Sequence, residues 1–202
     1  MNYLAVDTSG KNLTVIICKD GTPHSFFDGE CGVSHSVDLM PTIENLANEV
    51  GFDFKSADFF ACVVGAGSFT GIRIGVATIK ALCFAFNKPC LSITSFDTLA
   101  YNEKGRVLAL IDAKHNGFYA CGYDDGKVIL EPCYMMRQDV EKIIDGYTVV
   151  SSTNIDGINS KIVSVKDGLI KAISAKTHLV TFDLEELTPL YARKSQAEEG
   201  RK

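Results

Sequence analysis

Gly65-Ala66-Gly67-Ser68-Phe69-Thr70-Gly71-Ile72-Arg73-Ile74-Gly75 joins an apolar strand predicted over Phe59–Val64 to a long apolar helix predicted over Thr70–Phe86. A strand that runs straight into a helix leaves the first backbone N–H groups of that helix open at the strand's carboxyl end, where an anion or a partner can be held. Gly65 and Gly67 permit positive φ or close backbone approach, and Ser68 or Thr70 can cap the helix. No Gly-Lys-Ser/Thr follows the glycines, so the run is not a P-loop. Glycines also serve turn geometry alone, and the run by itself leaves both readings open.

Outward from this junction the chain alternates strand and helix. Tyr3–Asp7, Leu13–Lys19 and Thr22–Gly29 read as strands, the last two joined by an Asp20-Gly21 hairpin. A helix lies within Ser36–Val50, where Leu39, Ile43, Leu46, Ala47 and Val50 recur at helical spacing; Pro41 delays or kinks its first turns. Beyond the junction helix come a strand over Pro89–Thr94 and a short helix over Ser95–Asn102 with Ser95 as its cap. This order predicts an α/β fold with parallel pairing after an antiparallel opening.

The pattern then restarts. With Asp112 placed over Asp7, Val6 falls on Ile111, Leu13 on Phe118, Val15 on Ala120 and Asp20-Gly21 on Asp125-Gly126 without a gap. Both halves open with a strand ending in Asp, a polar turn, a second strand, an Asp-Gly hairpin and a third strand, Lys127–Tyr134 in the second half. We therefore expect a duplicated βββαβα architecture: one subdomain over 1–104, a second over 105–192 and a charged flexible tail over 193–202. The second half reads as a degraded copy, with a helix near Arg137–Ile144, a strand Tyr147–Ser151, a helix Asp167–Ser174 and an extended Pro189-Leu190-Tyr191.

Composition narrows the classes. Hydrophobic residues make up 46% of 202 and charged residues 22%, ordinary for a soluble globular protein, and the net charge of −5 argues against a broad nonspecific nucleic-acid surface. No run is expected to reach the roughly eighteen apolar residues that span a membrane. Strand-like residues directly after Met1 argue against a signal peptide, and seven cysteines without a Cys-x-x-Cys pair suggest reduced core thiols in a cytoplasmic protein.

Asp7-Thr8-Ser9, His35-Ser36 with Leu39-Met40-Pro41, the Gly67–Gly75 run, Ser95-Phe96-Asp97, Ile111-Asp112-Ala113 and Pro189-Leu190-Tyr191 together resemble the TsaB (YeaZ) family. The resemblance implies the duplicated fold of actin, sugar kinases and heat-shock chaperones (the ASKHA fold). It also implies a non-catalytic subunit that pairs with its paralogue TsaD. That paralogue carries the metal and transfers threonylcarbamoyl to the adenosine next to the anticodon, position 37, of tRNAs reading codons that begin with A. The small ATPase TsaE joins the pair. The family member itself self-associates, needs no cofactor or metal of its own, and meets tRNA only through the complex. Ala66 stands where the family generally has Pro, and Lys114-His115-Asn116-Gly117 where it often has Arg-x-Gly-Glu, so contacts of that Arg or Glu are not carried over.

Beside this reading stands an independent small-molecule kinase or ATPase of the same fold. Its nucleotide cleft would use Asp7, Thr8, Ser9, Gly67, Ser68 and Asp112. Gly10 comes late for close backbone approach to a phosphate, and no glycine follows Asp112 until Gly117, so we read this cleft as vestigial. Neither His24, His35, His115 nor His178 has a second histidine three or four residues away, the spacing of a helical metal pair. Ser68 does not match Gly-x-Ser-x-Gly.

The better-supported feature is a surface. From Thr70 to Phe86 only Arg73 and Lys80 are charged, so the helix needs cover on nearly all sides. Gly71, Gly75 and Thr78 form a small-residue stripe. We expect Leu39, Ile43 and Leu46 with Gly71, Ile72, Arg73, Gly75, Thr78 and Ile79 to make a helical interface with TsaD, or with a second copy in a homodimer. The alternatives are a wholly intramolecular core and, for Arg73, either a fork for a partner carboxylate or a solubilising charge.

Overall fold

The computed structural model of the chain describes residues 1–29 and 34–192, so the expected tail over 193–202 lies outside the described residues. The first half runs β1 (Tyr3–Asp7), β2 (Leu13–Lys19), β3 (Thr22–Asp28), α1 (His35–Val50), β4 (Phe59–Val63), α2 (Phe69–Phe86), β5 (Cys90–Ile93) and α3 (Ser95–Ala100). The second runs β6 (Arg106–Asp112), β7 (Gly117–Asp124), β8 (Lys127–Met136), α4 (Arg137–Ile143), β9 (Thr148–Ser151), β10 (Lys161–Ile162) and α5 (Val165–Lys176).

The sheet orders are β3-β2-β1-β4-β5 and β8-β7-β6-β9-β10, the same topology twice. In each, the first strand pairs antiparallel with the second and parallel with the fourth. Both hairpins turn through left-handed Asp-Gly pairs: Asp20 at φ 53° and Gly21 at 82°, Asp125 at 45° and Gly126 at 82°. That geometry matches the twist of the flanking strands. The duplicated actin-like fold expected from the sequence is therefore present. Each copy extends past βββαβα by a fifth strand and a further helix. Among the described residues the second copy has no counterpart of α2; buried Ile155 and Ile158, between β9 and β10, cover the corresponding sheet face instead.

Helices and sheets alternate in layers. The pair α1 and α2 covers the outer face of the first sheet through Leu39, Ile43, Ile72, Val76 and Ile79. Its inner face packs against Leu169, Ala172 and Ile173 of α5. The inner face of the second sheet takes Phe96, Leu99 and Ala100 of α3, and its outer face takes Val140 of α4. The first sheet ends with β5 and the second begins with β6. The chain from α5 onward nevertheless returns to the first half: Thr181 bridges Cys90, Leu187 joins the outer core of the first sheet, and the Leu190 N–H donates to the Val64 carbonyl at 2.7 Å.

Two expectations need correction. The cap of α3 is Thr94, whose hydroxyl accepts from the Asp97 N–H at 3.0 Å while the Asp97 carboxylate accepts from the Thr94 N–H at 2.8 Å, a reciprocal capping box. Helix α2 is 18 residues long with a mean hydropathy of 1.5, long and apolar enough by composition to cross a membrane. One side of it packs on the first sheet.

Candidate functional site

Ser68 caps α2, its hydroxyl accepting from the Gly71 N–H at 3.2 Å. The loop after β1 then closes over this helix start. The Ser68 N–H donates to the Ser9 carbonyl at 2.6 Å and the Thr8 hydroxyl to the Gly71 carbonyl at 2.7 Å. The fit needs bare glycine: a Cβ on Gly67 would stand 2.1 Å from the Ser9 carbonyl oxygen, and one on Gly75 2.6 Å from the Thr8 hydroxyl. Ser9 also donates to Asp7 Oδ1 through its hydroxyl at 2.7 Å and its N–H at 2.8 Å, and accepts from the Ser95 hydroxyl at 2.9 Å. His35 Nε2 donates to the Asn12 carbonyl at 3.1 Å and anchors the far end of the loop.

The residues of the expected nucleotide cleft thus fall into two environments. Asp7, Thr8, Ser9, Gly67 and Ser68 meet at one point. Asp7 is buried, which pushes its carboxyl up against the opposing pull of the two Ser9 bonds and the His35 charge. Asp112 is exposed, and its carboxylate takes the Lys114 N–H at 2.8 Å and the Lys114 ammonium at 3.5 Å. Among the described residues no three His, Cys, Asp or Glu side chains stand where they could share a metal ion.

The expected interface residues divide differently from the sequence reading. Leu39, Ile43, Leu46, Gly71, Ile72, Gly75 and Ile79 are buried within the chain's own core, whereas Arg73 is exposed and Thr78 half-buried. The glycine stripe faces inward because the β1–β2 loop, rather than another helix, occupies it. The outward stripe of α2 is Phe69, Thr70, Arg73, Ala77, Ala81 and Phe84, with Phe84 85% exposed. Beside it α1 exposes Val37, Met40, Pro41, Glu44 and Asn45.

Sequence reasoning missed a cluster on this face. The Arg73 guanidinium lies 3.9 Å from the Phe69 ring centre, its Nε donates to the Tyr191 hydroxyl at 2.9 Å, and the Phe69 and Tyr191 rings stack at 4.6 Å. Tyr191 arrives from 118 residues away, so no local pattern could announce it. Also missed was a buried network between the sheets: Asp97 accepts from Lys176 at 2.7 Å, Tyr123 at 3.0 Å and the Thr94 N–H.

The sequence profile of TsaD, described as tRNA N6-adenosine threonylcarbamoyltransferase, matches residues 30–179. The chain belongs to the TsaD family. The tRNA threonylcarbamoyladenosine biosynthesis protein TsaB of Bacillus subtilis is 32% identical over 136 residues, 65% of this chain and 58% of that protein. TsaB of Escherichia coli is 30% identical over 128 residues, 61% of this chain and 55% of that protein. The chain spans a little over half the length of these relatives. YeaZ from Pseudomonas aeruginosa superposes with a TM-score of 0.79 over 94% of this chain and 99% of its own, at 22% identity, which speaks for the fold.

Proposed function

We propose that this TsaB-like chain is a non-catalytic docking subunit in the synthesis of threonylcarbamoyladenosine on tRNA. In this reading it works in the cytoplasm, pairs with the TsaD paralogue, and the ATPase TsaE joins the pair. The paralogue holds the metal and performs the transfer, and tRNA meets this chain only within the complex.

One observation carries the reading: the outward stripe of α2. Phe69, Ala77, Ala81 and Phe84 recur at helical spacing on a helix whose opposite side is already committed to the first sheet. An apolar stripe of this kind, flanked on α1 by exposed Val37, Met40 and Pro41 as well as by Glu44 and Asn45, has the composition of an obligate contact rather than of a solvated face. The expected interface is thus retained on α1 and α2, with its contacts moved to the outward positions. The Asp7-Thr8-Ser9 loop adds support, since the polar groups that would cradle a phosphate are spent on one another and on the start of α2.

The test is reconstitution. tRNA, ATP, a threonylcarbamoyl donor, the TsaD paralogue and TsaE are incubated with and without this chain, and the modified nucleoside is quantified. Formation that depends on the chain, together with no ATP turnover by the chain alone, is the expected result. Formation that is indifferent to it, or strong turnover by the isolated chain, would support the kinase or ATPase reading instead.

A further inference from the structure

A sheet edge presents a row of unpaired N–H and C=O groups unless something blunts it. The β5 edge of the first sheet is covered by the chain's own return, with Thr181 bridging Cys90. In the second sheet the β8 edge carries Lys127, Glu131, Pro132 and register shifts against β7, and the β10 edge is two residues long and starts with Lys161. The β3 edge keeps only Pro23, beside its hairpin. It is seven residues long, pairs with β2 in unbroken register, and is exposed from Thr22 to Phe27. The Asp20-Gly21 hairpin fixes which backbone groups point outward. Lys19 and Thr22, which close it, exchange both bonds, so alternation along the ladder turns the N–H and C=O of Ser25 and Phe27 away from β2. Pro23 falls at the same phase, where a missing N–H costs the β2 ladder nothing. His24, Phe26 and Asp28, opposite Ile17, Val15 and Leu13, share one face of the strand.

We infer that the β3 edge pairs antiparallel with the β3 edge of a second copy of this chain, joining the two first sheets across a two-fold axis at Phe26. The pairing is independent of the proposed function and uses a surface separate from the outward stripe of α2. The strand's own residues select the register. Outward groups must meet outward groups, which near the middle of the strand allows an axis at Ser25, Phe26 or Phe27. With the axis at Phe26, Ser25 of each copy exchanges both backbone bonds with Phe27 of the other. The Phe26 rings then meet as a close non-hydrogen-bonded pair, and His24 of each copy faces the Asp28 carboxylate of the other. An axis at Ser25 would set Pro23 against Phe27 and leave that carbonyl without a donor; an axis at Phe27 would set Phe26 against Asp28. Aromatic and oppositely charged cross-strand pairs are the units that stabilise an antiparallel ladder, and only the Phe26 axis supplies both. One strand pair makes a contact at the small end of specific interfaces, so the dimer is weak and reversible.

Sedimentation velocity of the chain over a concentration series of roughly 5 to 500 µM tests the pairing, with a reversible monomer–dimer equilibrium as the expected result. Ser25→Pro deletes an outward N–H and spares the β2 ladder, and Phe26→Lys sets like charges against each other across the axis. Each should weaken the dimer about tenfold or more with an unchanged circular dichroism spectrum. Phe26→Cys should form a disulfide between two copies at position 26 on mild oxidation, mapped by mass spectrometry, whereas Thr22→Cys, far from the axis, should not. Should Ser25→Pro fail to fold, Phe26→Lys and the disulfide carry the test. A chain that stays monomeric throughout overturns the pairing. So does a dimer that both β3 variants leave intact while Ala81→Glu, on the outward stripe of α2, dissociates it. A dimer lost in both β3 variants but lacking the disulfide at position 26 overturns the axis. Slowed amide exchange at Ser25 and Phe27 that appears on adding the TsaD paralogue, and not on concentrating the chain alone, would put another protein's strand on this edge and overturn the second copy.

Discussion

The carbonyl oxygen of Thr8 lies 2.0 Å from where a Cβ on Gly71 would stand, so the loop after β1 and the first turn of α2 are fitted backbone to backbone. Neither side can yield as a flexible side chain does. Gly71→Ala is therefore expected to destabilise the fold by about 1–3 kcal/mol, the range of overpacked cores, read as a lower urea midpoint. Gly75→Ala should act alike through the Thr8 hydroxyl. An unchanged midpoint in both would show that the loop does not seat on the helix. Substitutions at Gly75 are for this reason folding variants, and a loss of partner binding in them would not map an interface.

The buried Asp97 carboxylate makes a second prediction. It is 1% exposed and has Lys176 of α5 as its cation, with Tyr123 of the second sheet donating to its other oxygen. Lys176→Met leaves an uncompensated buried charge and should cost about 3–5 kcal/mol. Adding Asp97→Asn to that variant should recover part of the loss, because the amide removes the orphaned charge. A double-mutant cycle by denaturant unfolding checks both; purely additive losses would mean that the pair does not interact.

Asp7 gives a pH dependence with a definite sign. Burial raises its carboxyl above the ordinary value of 3.8, so the folded state holds the proton more tightly than the unfolded chain. Its stabilising contribution is complete below the unfolded value and is lost as pH rises through the folded one. Asp7→Asn, which keeps an oxygen for the two Ser9 donors, should raise the melting temperature at pH 7 by about 2 °C or more. That gain should vanish as the pH falls into the carboxylate range. A variant less stable than wild type at pH 7 would show that the ionised form is favoured by its surroundings.

Burial also pushes the Cys83 and Cys121 thiols up to about 12. Alkylation of the native protein at neutral pH followed by peptide mapping should leave both unmodified, and unfolding should expose them. Labelling of either in the native state at the rate of a free thiol would contradict the packing.

Much of this architecture is legible in the residues. The Asp-Gly pairs at 20–21 and 125–126 announce the same hairpin twice, and the gapless offset between Asp7 and Asp112 aligns strands that do hold equivalent places in two sheets of one topology. What the sequence could not reveal was the phase of α2. A helix apolar on nearly every side carries little angular information, so Gly71 and Gly75 looked like room for a partner helix when they are room for the Thr8 backbone. The same ambiguity hid the outward role of Ala77, Ala81 and Phe84. Long-range events were equally silent. Nothing near Val165–Lys176 says that this helix crosses to the first sheet, and nothing near Arg73 says that Tyr191 will meet it. The second half keeps the strand topology of the first, with no counterpart of α2 among the described residues.

The central claim is that the outward side of α2 is covered by the partner. Phe84, 85% exposed in the isolated chain, reports on it without any substitution. Pulsed hydroxyl-radical oxidation, read at Phe84 by mass spectrometry with and without the TsaD paralogue, should show a several-fold slower rate in the complex. Phe182, 69% exposed on the segment that follows α5, serves as the outlying reference and should keep its rate. Equal oxidation of Phe84 in the free chain and in a verified complex would contradict the account.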